Sequence, residues 1–138
     1  MEQTAKERTL AFMAEHEGDP TPMELFHMHV KHVGINTKSE GEAWEVAEAL
    51  ARLMGLMPRE TEKAVFSGDL TENMKVKSHG TYGHIGFGVN DCEAAIRYFV
   101  ERGMTLREET KRFDEQGRCI FVYFKEEVGG FAIHLVQD

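Results

Sequence analysis

One feature constrains the fold of this chain more than any other: a pair of histidines that occurs twice. His27 and His32 return as His79 and His84 at a common offset of 52 residues. The second histidine of each pair opens the pattern histidine, apolar, glycine, apolar. It reads His32-Val33-Gly34-Ile35 in one place and His84-Ile85-Gly86-Phe87 in the other. A second pair of anchors follows in the same order. Gly68 stands four residues before Glu72, and Gly130 stands four residues before His134. Recurrence of this kind marks one supersecondary unit used twice.

The elements between the anchors repeat as well. His32 to Thr37 alternates, with Val33, Ile35 and Thr37 on one face and His32, Gly34 and Asn36 on the other. That is the period of a half-buried strand. Ser39-Glu40-Gly41-Glu42 reads as a capping box. A helical stripe of Val46, Leu50, Leu53 and Met54 follows, and Gly55 stops it. In the second copy Ile85, Phe87 and Val89 line one strand face. Asp91 caps a helix whose stripe is Ile96, Phe99 and Val100, and Gly103 ends it. Strand signals come next: Arg107 to Phe113, Cys119 to Phe124 across a turn at Asp114 to Gly117, and Phe131 to Val136 after Gly129-Gly130. The first copy has shorter counterparts, Glu60 to Phe66 and Leu70 to Val76.

The expected fold is therefore α+β, with two copies of a βαβββ module. A helix over Gln3 to Glu15, ended by Gly18-Asp19-Pro20, has no counterpart in the second copy. The expected organisation is a helical leader over residues 1–26 and a body over 27–138. The body divides into module one, 27–78, and module two, 79–138.

Composition narrows the function. The formal net charge of −8 argues against a nucleic-acid or anionic-membrane partner, which would select clustered Lys and Arg. No apolar run approaches a membrane span, and the N-terminus lacks the order of a signal peptide. Cys92 and Cys119 make no disulfide framework. The expectation is a reduced, cytoplasmic protein. Cys92 beside Asp91 opens a helix, where a thiol pKa can fall, or it fills core volume.

Three histidines share an unusual setting. His32 and His84 lie on strand faces with Gly34, and with Gly86 and Gly88. His134 lies on a face with Ala132 and Val136, opposite Phe131, Ile133 and Leu135. A histidine that fills core volume belongs on the bulky face; these point over small residues that leave space. Tyr82, two residues before His84, is a candidate substrate contact or a packing tyrosine. His27, His29 and His79 read as turn, edge or supporting residues.

A duplicated βαββ(β) unit with a His-apolar-Gly-apolar first strand resembles the vicinal oxygen chelate superfamily. That group includes glyoxalase I, fosfomycin-resistance enzymes, methylmalonyl-CoA epimerase, extradiol dioxygenases and bleomycin-binding proteins. The resemblance covers about residues 30 to 138. Lys31 to Asn36 and Gly130 to Gln137 are similar, more narrowly, to a domain appended to some bacterial keto-hydroxyglutarate/keto-deoxyphosphogluconate aldolases. No aldolase barrel fits in a chain of this length.

The resemblance implies that the two βαβββ modules lie side by side in a cup-shaped mixed sheet, with a divalent metal inside the cup held by the first and last strands of each module. Here those positions are His32, Glu72, His84 and His134. Glyoxalase-like members often have a carboxylate where His134 stands. Three imidazoles and a carboxylate suit Zn, Ni, Mn or Fe. The implied activity is that of a glyoxalase-like lyase or isomerase on a small 2-oxo or 2-hydroxy acid or related vicinal-oxygen substrate. The metal would be the Lewis acid and Glu72 the catalytic base. The alternative is a non-catalytic small-molecule or metal-binding module serving as a sensor, resistance or regulatory protein. A homodimer is expected, because a short first module leaves sheet edges uncovered.

Overall fold

The computed structural model describes residues 2–138; Met1, the first residue of the expected leader, lies outside them. The chain runs α1 (Ala5–Glu15), α2 (Pro22–Phe26), β1 (His29–Asn36), α3 (Glu40–Met54), β2 (Pro58–Glu60), β3 (Ala64–Ser67) and β4 (Thr71–Met74). It continues through β5 (Gly83–Val89), α4 (Cys92–Glu101), β6 (Leu106–Phe113), β7 (Cys119–Val128) and β8 (Phe131–Gln137). The eight strands form one open mixed sheet in the order β2-β3-β4-β1-β5-β8-β7-β6. The two βαβββ modules are read from the centre outwards in the same order. β1 and β5 meet antiparallel in the middle, and each pairs in parallel with the last strand of its own module, β4 or β8.

The central register explains the spacing of the sequence pattern. His32 lies opposite Gly86, Val33 opposite Ile85, and Gly34 opposite His84. Equivalent residues of the two modules thus flank a local two-fold between Val33 and Ile85.

Helix caps set the helix positions. The Ser39 hydroxyl accepts from Glu42 N at 3.1 Å, and the Asp91 carboxylate accepts from Ala94 N at 3.1 Å. Ser39 caps alone, without the reciprocal bond from Glu42 that a full capping box would add. Gly55 ends α3 in the left-handed region, φ 74°, where its N–H reaches Ala51 O at 3.0 Å.

Two cores lie beneath the helices. The larger, in module two, gathers Phe26, Val89, Cys92, Ala95, Phe124 and Leu135. The smaller holds Ala43, Ala47 and Val65. The α3 stripe departs from expectation: Val46 and Leu50 are half-buried, but Leu53 is 82% and Met54 67% exposed. The reason is length. Fifteen helical residues span about 22 Å, whereas the four-residue strands β3 and β4 span about 14 Å. The end of α3 overhangs its sheet. On α4, Val100 is likewise exposed, and Tyr98 instead packs edge-on against Phe26.

Residues 60–66, expected as one strand, are split by a turn in which Thr61 N donates to Ala64 O at 2.8 Å. The α1 helix forms where expected, with a Thr4–Glu7 capping box, and none of its residues is buried. The α2 helix was not anticipated. Thr21 and Glu24 form its capping box, Pro22 occupies its first turn, and Phe26 inserts into the larger core.

Candidate functional site

The two repeated glycines build the site. Gly34 on β1 is flanked in register by Glu72 on β4 and by His84 on β5. Gly86 on β5 is flanked by His134 on β8 and by His32 on β1. Each glycine is therefore an open floor over which two side chains from neighbouring strands can lean. A Cβ on Gly34 would clash with the His84 ring, 2.6 Å from its Nε2 and closer still to Cε1 and Nδ1; one on Gly86 would lie 2.6 Å from His134 Cε1 and 2.8 Å from His32 Cε1.

Over these floors the three imidazoles converge. His32 Nε2 lies 3.2 Å from His84 Nε2 and 3.2 Å from His134 Nε2. Glu72 Oε1 lies 3.0 Å from His84 Nε2. Ligand atoms held about 2.0–2.1 Å from a tetrahedral Zn²⁺ stand about 3.3 Å apart, so the three imidazoles, whose ligand atoms all lie within 4.8 Å of one another, fit a shared divalent cation; Glu72 falls outside that set and meets the cluster through His84. The Nδ1 atoms of His84 and His134 are buried without partners. Neither Nδ1 therefore makes the outer hydrogen bond to a protein carbonyl or carboxylate that commonly orients a ligating imidazole.

Electrostatics prepare the same donors. Burial, then the charges of His32 and His84, push His134 down to about 3. Burial, then His84, also lowers His32. Burial opposes ionisation of Glu72, but the hydrogen bond and charge of His84, with the charges of His32 and Arg112, outweigh it and lower its pKa. At neutral pH His32 and His134 are neutral and Glu72 is anionic, the protonation state that metal ligation requires.

The cluster forms the base of a cavity of about 290 Å³ whose walls include Lys63, His79, Arg112, Phe121 and Tyr123. Tyr123 is buried and stacks on His79, with ring centroids 4.1 Å apart. Burial, then the charge of Glu72, raises its pKa, so its hydroxyl stays protonated and is able to donate. Tyr82 does not line this cavity. Its side chain is 64% exposed and lies against Gly130, while its backbone N donates to Gly130 O at 2.9 Å. Strand β5 begins only at Gly83, so the alternation that would aim Tyr82 with His84 starts one residue too late.

The remaining histidines serve other ends. His27 caps α2 in the left-handed region, and His29 binds Asp138 at 2.7 Å. Cys92 is buried, and burial followed by the proximity of Cys119 pushes its thiol up to about 12, so the helix start does not activate it. A larger cavity of about 470 Å³ lies between the start of α4 and the β6–β7 turn. It is lined by mixed charges such as Asp91, Glu93, Arg97 and Arg118, with no imidazole.

The sequence singled out His32, His84 and His134, which the sheet brings together, and Glu72, which it sets against His84; Arg112 and Tyr123, which also line the cavity, it did not single out. Arg112 sits in a charged run that reads as a solvated edge, and Tyr123 in a run that is apolar throughout.

No family model matches the chain, and no curated protein sequence matches it. Solved structures do. A hypothetical protein, BH1468 from Bacillus halodurans C-125, aligns with a TM-score of 0.54 at 14% identity, over 80% of this chain and 94% of its own. Methylmalonyl-CoA epimerase from Mycobacterium tuberculosis aligns at 0.51 and 17%, over 78% and 86%. A variant of the Streptomyces coelicolor methylmalonyl-CoA epimerase, in complex with 2-nitronate-propionyl-CoA, aligns at 0.50 and 14%, over 79% and 96%. At these identities the likeness is one of fold: the chain has the paired βαβββ architecture that the methylmalonyl-CoA epimerases share.

Proposed function

We propose that this protein is a divalent-metal-dependent lyase or isomerase of the glyoxalase-like type. Its substrate would be a small 2-oxo or 2-hydroxy acid or a related compound with two neighbouring oxygens. The observation that carries the reading is the convergence of His32, His84 and His134, with Glu72 against His84, over two glycines. His32, Glu72, His84 and His134 would hold a Zn, Ni, Mn or Fe ion. Bound there, the ion supplies Lewis-acid stabilisation of negative charge on the substrate oxygens. The chain's own residues do the rest. Glu72, the carboxylate of the cavity, accepts the substrate proton once it has left the ligand set and is released from His84. Tyr123 offers a protonated hydroxyl, and Phe121 and the His79–Tyr123 stack limit water.

One observation favours a second reading. The cavity's carboxylate is already paired with His84 and its pKa is lowered, which makes it a weak base. With Glu72 permanently engaged, the same cup is a non-catalytic binding module for a metal or metabolite. The narrower resemblance of residues 31–36 and 130–137 to an aldolase-appended domain suits either role.

The organisation that goes with this function is a leader over 1–26, a body over 27–138, and a homodimer formed through the exposed apolar surface of α1 and the end of α3. Two buried free cysteines suit a reducing cytoplasm. Among the described residues, no helix is long and apolar enough to cross a membrane.

The deciding experiment is elemental analysis of tag-free protein, followed by assay of 2-oxo acids and methylglyoxal–thiol adducts with and without chelator. Metal near one per chain and chelator-sensitive turnover support the enzyme; metal without turnover supports the binding module. Absence of metal after loading with each candidate ion refutes both metal readings.

A further inference from the structure

Two cations of the histidine cavity have no part in the ligand set. Arg112 near the end of β6 and Lys63 in the turn before β3 both line it. Their neighbours Arg59, Lys75, Arg107, Lys111 and Arg118 each have a carboxylate partner. Arg112 and Lys63 have none among the described residues.

A local irregularity accompanies Arg112. β6 pairs with β7 at Leu106↔Phe124 and Arg107↔Tyr123, loses register, and resumes at Arg112↔Phe121. The Thr110 hydroxyl spans the gap, accepting from Tyr123 N at 2.9 Å and donating to Arg107 O at 2.7 Å. Bulges of this kind re-aim side chains beside sites. Here the guanidinium carbon comes to rest 4.4 Å from the Phe121 ring centre, and Phe121 lies 4.6 Å from the His134 ring. A guanidinium laid on an aromatic face keeps its plane fixed and its N–H edge free, the geometry that grips a carboxylate or phosphate with two bonds.

The charge balance agrees. The chain carries a net charge of −8, yet this cavity sets Arg112 and Lys63 against one carboxylate, Glu72. It is a positive spot on an acidic protein, and its modest volume suits a compact ligand.

We propose that Arg112, assisted by Lys63, is an anion-recognition subsite, so that the ligand of this cavity carries a second anionic group beyond the oxygens held at the histidine cluster. The ligand class is a compact 2-oxo or 2-hydroxy acid bearing a distal carboxylate or phosphate. The identity of the chelating half rests on the proposed function above; the anion subsite rests on Arg112 and Lys63.

The test uses the full chain loaded with Co²⁺, whose visible absorption reports occupancy of the histidine cluster. Three probes are titrated: 2-oxoglutarate, 3-phosphoglycerate and the monoacid 2-oxopentanoate. The wild type should bind one of the two dianions at least about tenfold more tightly than the monoacid, and the tighter one identifies the distal group. Arg112→Gln should abolish that preference while leaving the cobalt spectrum, the melting temperature and the monoacid affinity unchanged. Arg112→Lys should restore part of it, and Lys63→Gln should weaken it less than Arg112→Gln does. Equal affinities in the wild type, or a preference that survives both Arg112→Gln and Lys63→Gln, overturn the proposal. If cobalt does not bind, the metal reading fails separately. The subsite is then read by calorimetry on metal-free protein: 2-oxoglutarate or 3-phosphoglycerate binding that Arg112→Gln removes supports it, and no binding of either overturns it.

Discussion

Replacing Gly34 by alanine adds one methyl group to a sheet of eight strands, and the geometry makes its consequence specific. The new Cβ would sit within contact distance of His84 Nδ1 and Cε1, and 2.6 Å from His84 Nε2. Ordinary contact between such atoms is about 3.5–4.0 Å, so the ring must retreat by about 1 Å or more. Metal sites tolerate displacements of about 0.2 Å. His84 would be lost as a ligand although residue 84 itself is unchanged. On the proposed metal reading, removing one of the three converging imidazoles should weaken cobalt or zinc affinity by about 100-fold or more. Overpacking should cost about 1–3 kcal/mol of apoprotein stability. The metal's own stabilisation, about 2.7 kcal/mol at a hundredfold excess over the dissociation constant, should then vanish from the melting curve. The assay is a cobalt titration followed by visible absorption, paired with thermal melts with and without metal. If Gly34→Ala binds cobalt with wild-type affinity and spectrum, the glycine is not the floor of the site, and the account of the histidine–apolar–glycine pattern is wrong.

Four further outcomes are expected. His84→Ala and His134→Ala should each reduce metal content sharply, and unchanged content in both by elemental analysis would dismiss the cluster as a metal site. Apoprotein stability should fall on acidification, because His134 is neutral when folded, with a pKa near 3, but titrates near 6.5 when unfolded. The unfolded state therefore takes up more protons between those values, a loss of ~2–4 kcal/mol by pH 3.5 that urea melts would show flattened in His134→Phe. Deleting residues 1–18 should halve the mass seen by light scattering if α1 contributes the dimer contact, since Leu10, Phe12 and Met13 are 53%, 61% and 59% exposed; a monomeric full-length chain at micromolar concentration would dispose of the dimer. Cys92 should resist alkylation at pH 8 until the chain unfolds, because its thiol is buried and pushed up to about 12, and rapid native labelling would contradict that burial.

What could be read from the sequence divides along a physical line. Strand alternation is strictly local, so the faces of β1, β5 and β8 were legible, and with them the three histidines over small residues. The glycines were legible as space, but the strands to which each offers that space depend on a register set by pairing 52 residues apart in the chain. Arg112 was illegible for the opposite reason. It follows an irregularity in β6, beyond which counting from Arg107 no longer tells which way a side chain points. The α3 stripe misled because periodicity reports which residues share a face, and nothing about how far the surface beneath extends. Leu53 and Met54 lie on that face, but past the end of a four-residue strand. The short α2 helix did carry its signal, Thr21-Pro22 with Glu24, but five residues give no hydrophobic period to support it. Local patterns therefore singled out the three histidines that the sheet brings together, whereas the residues that give the cavity charge and shape depend on pairing between strands.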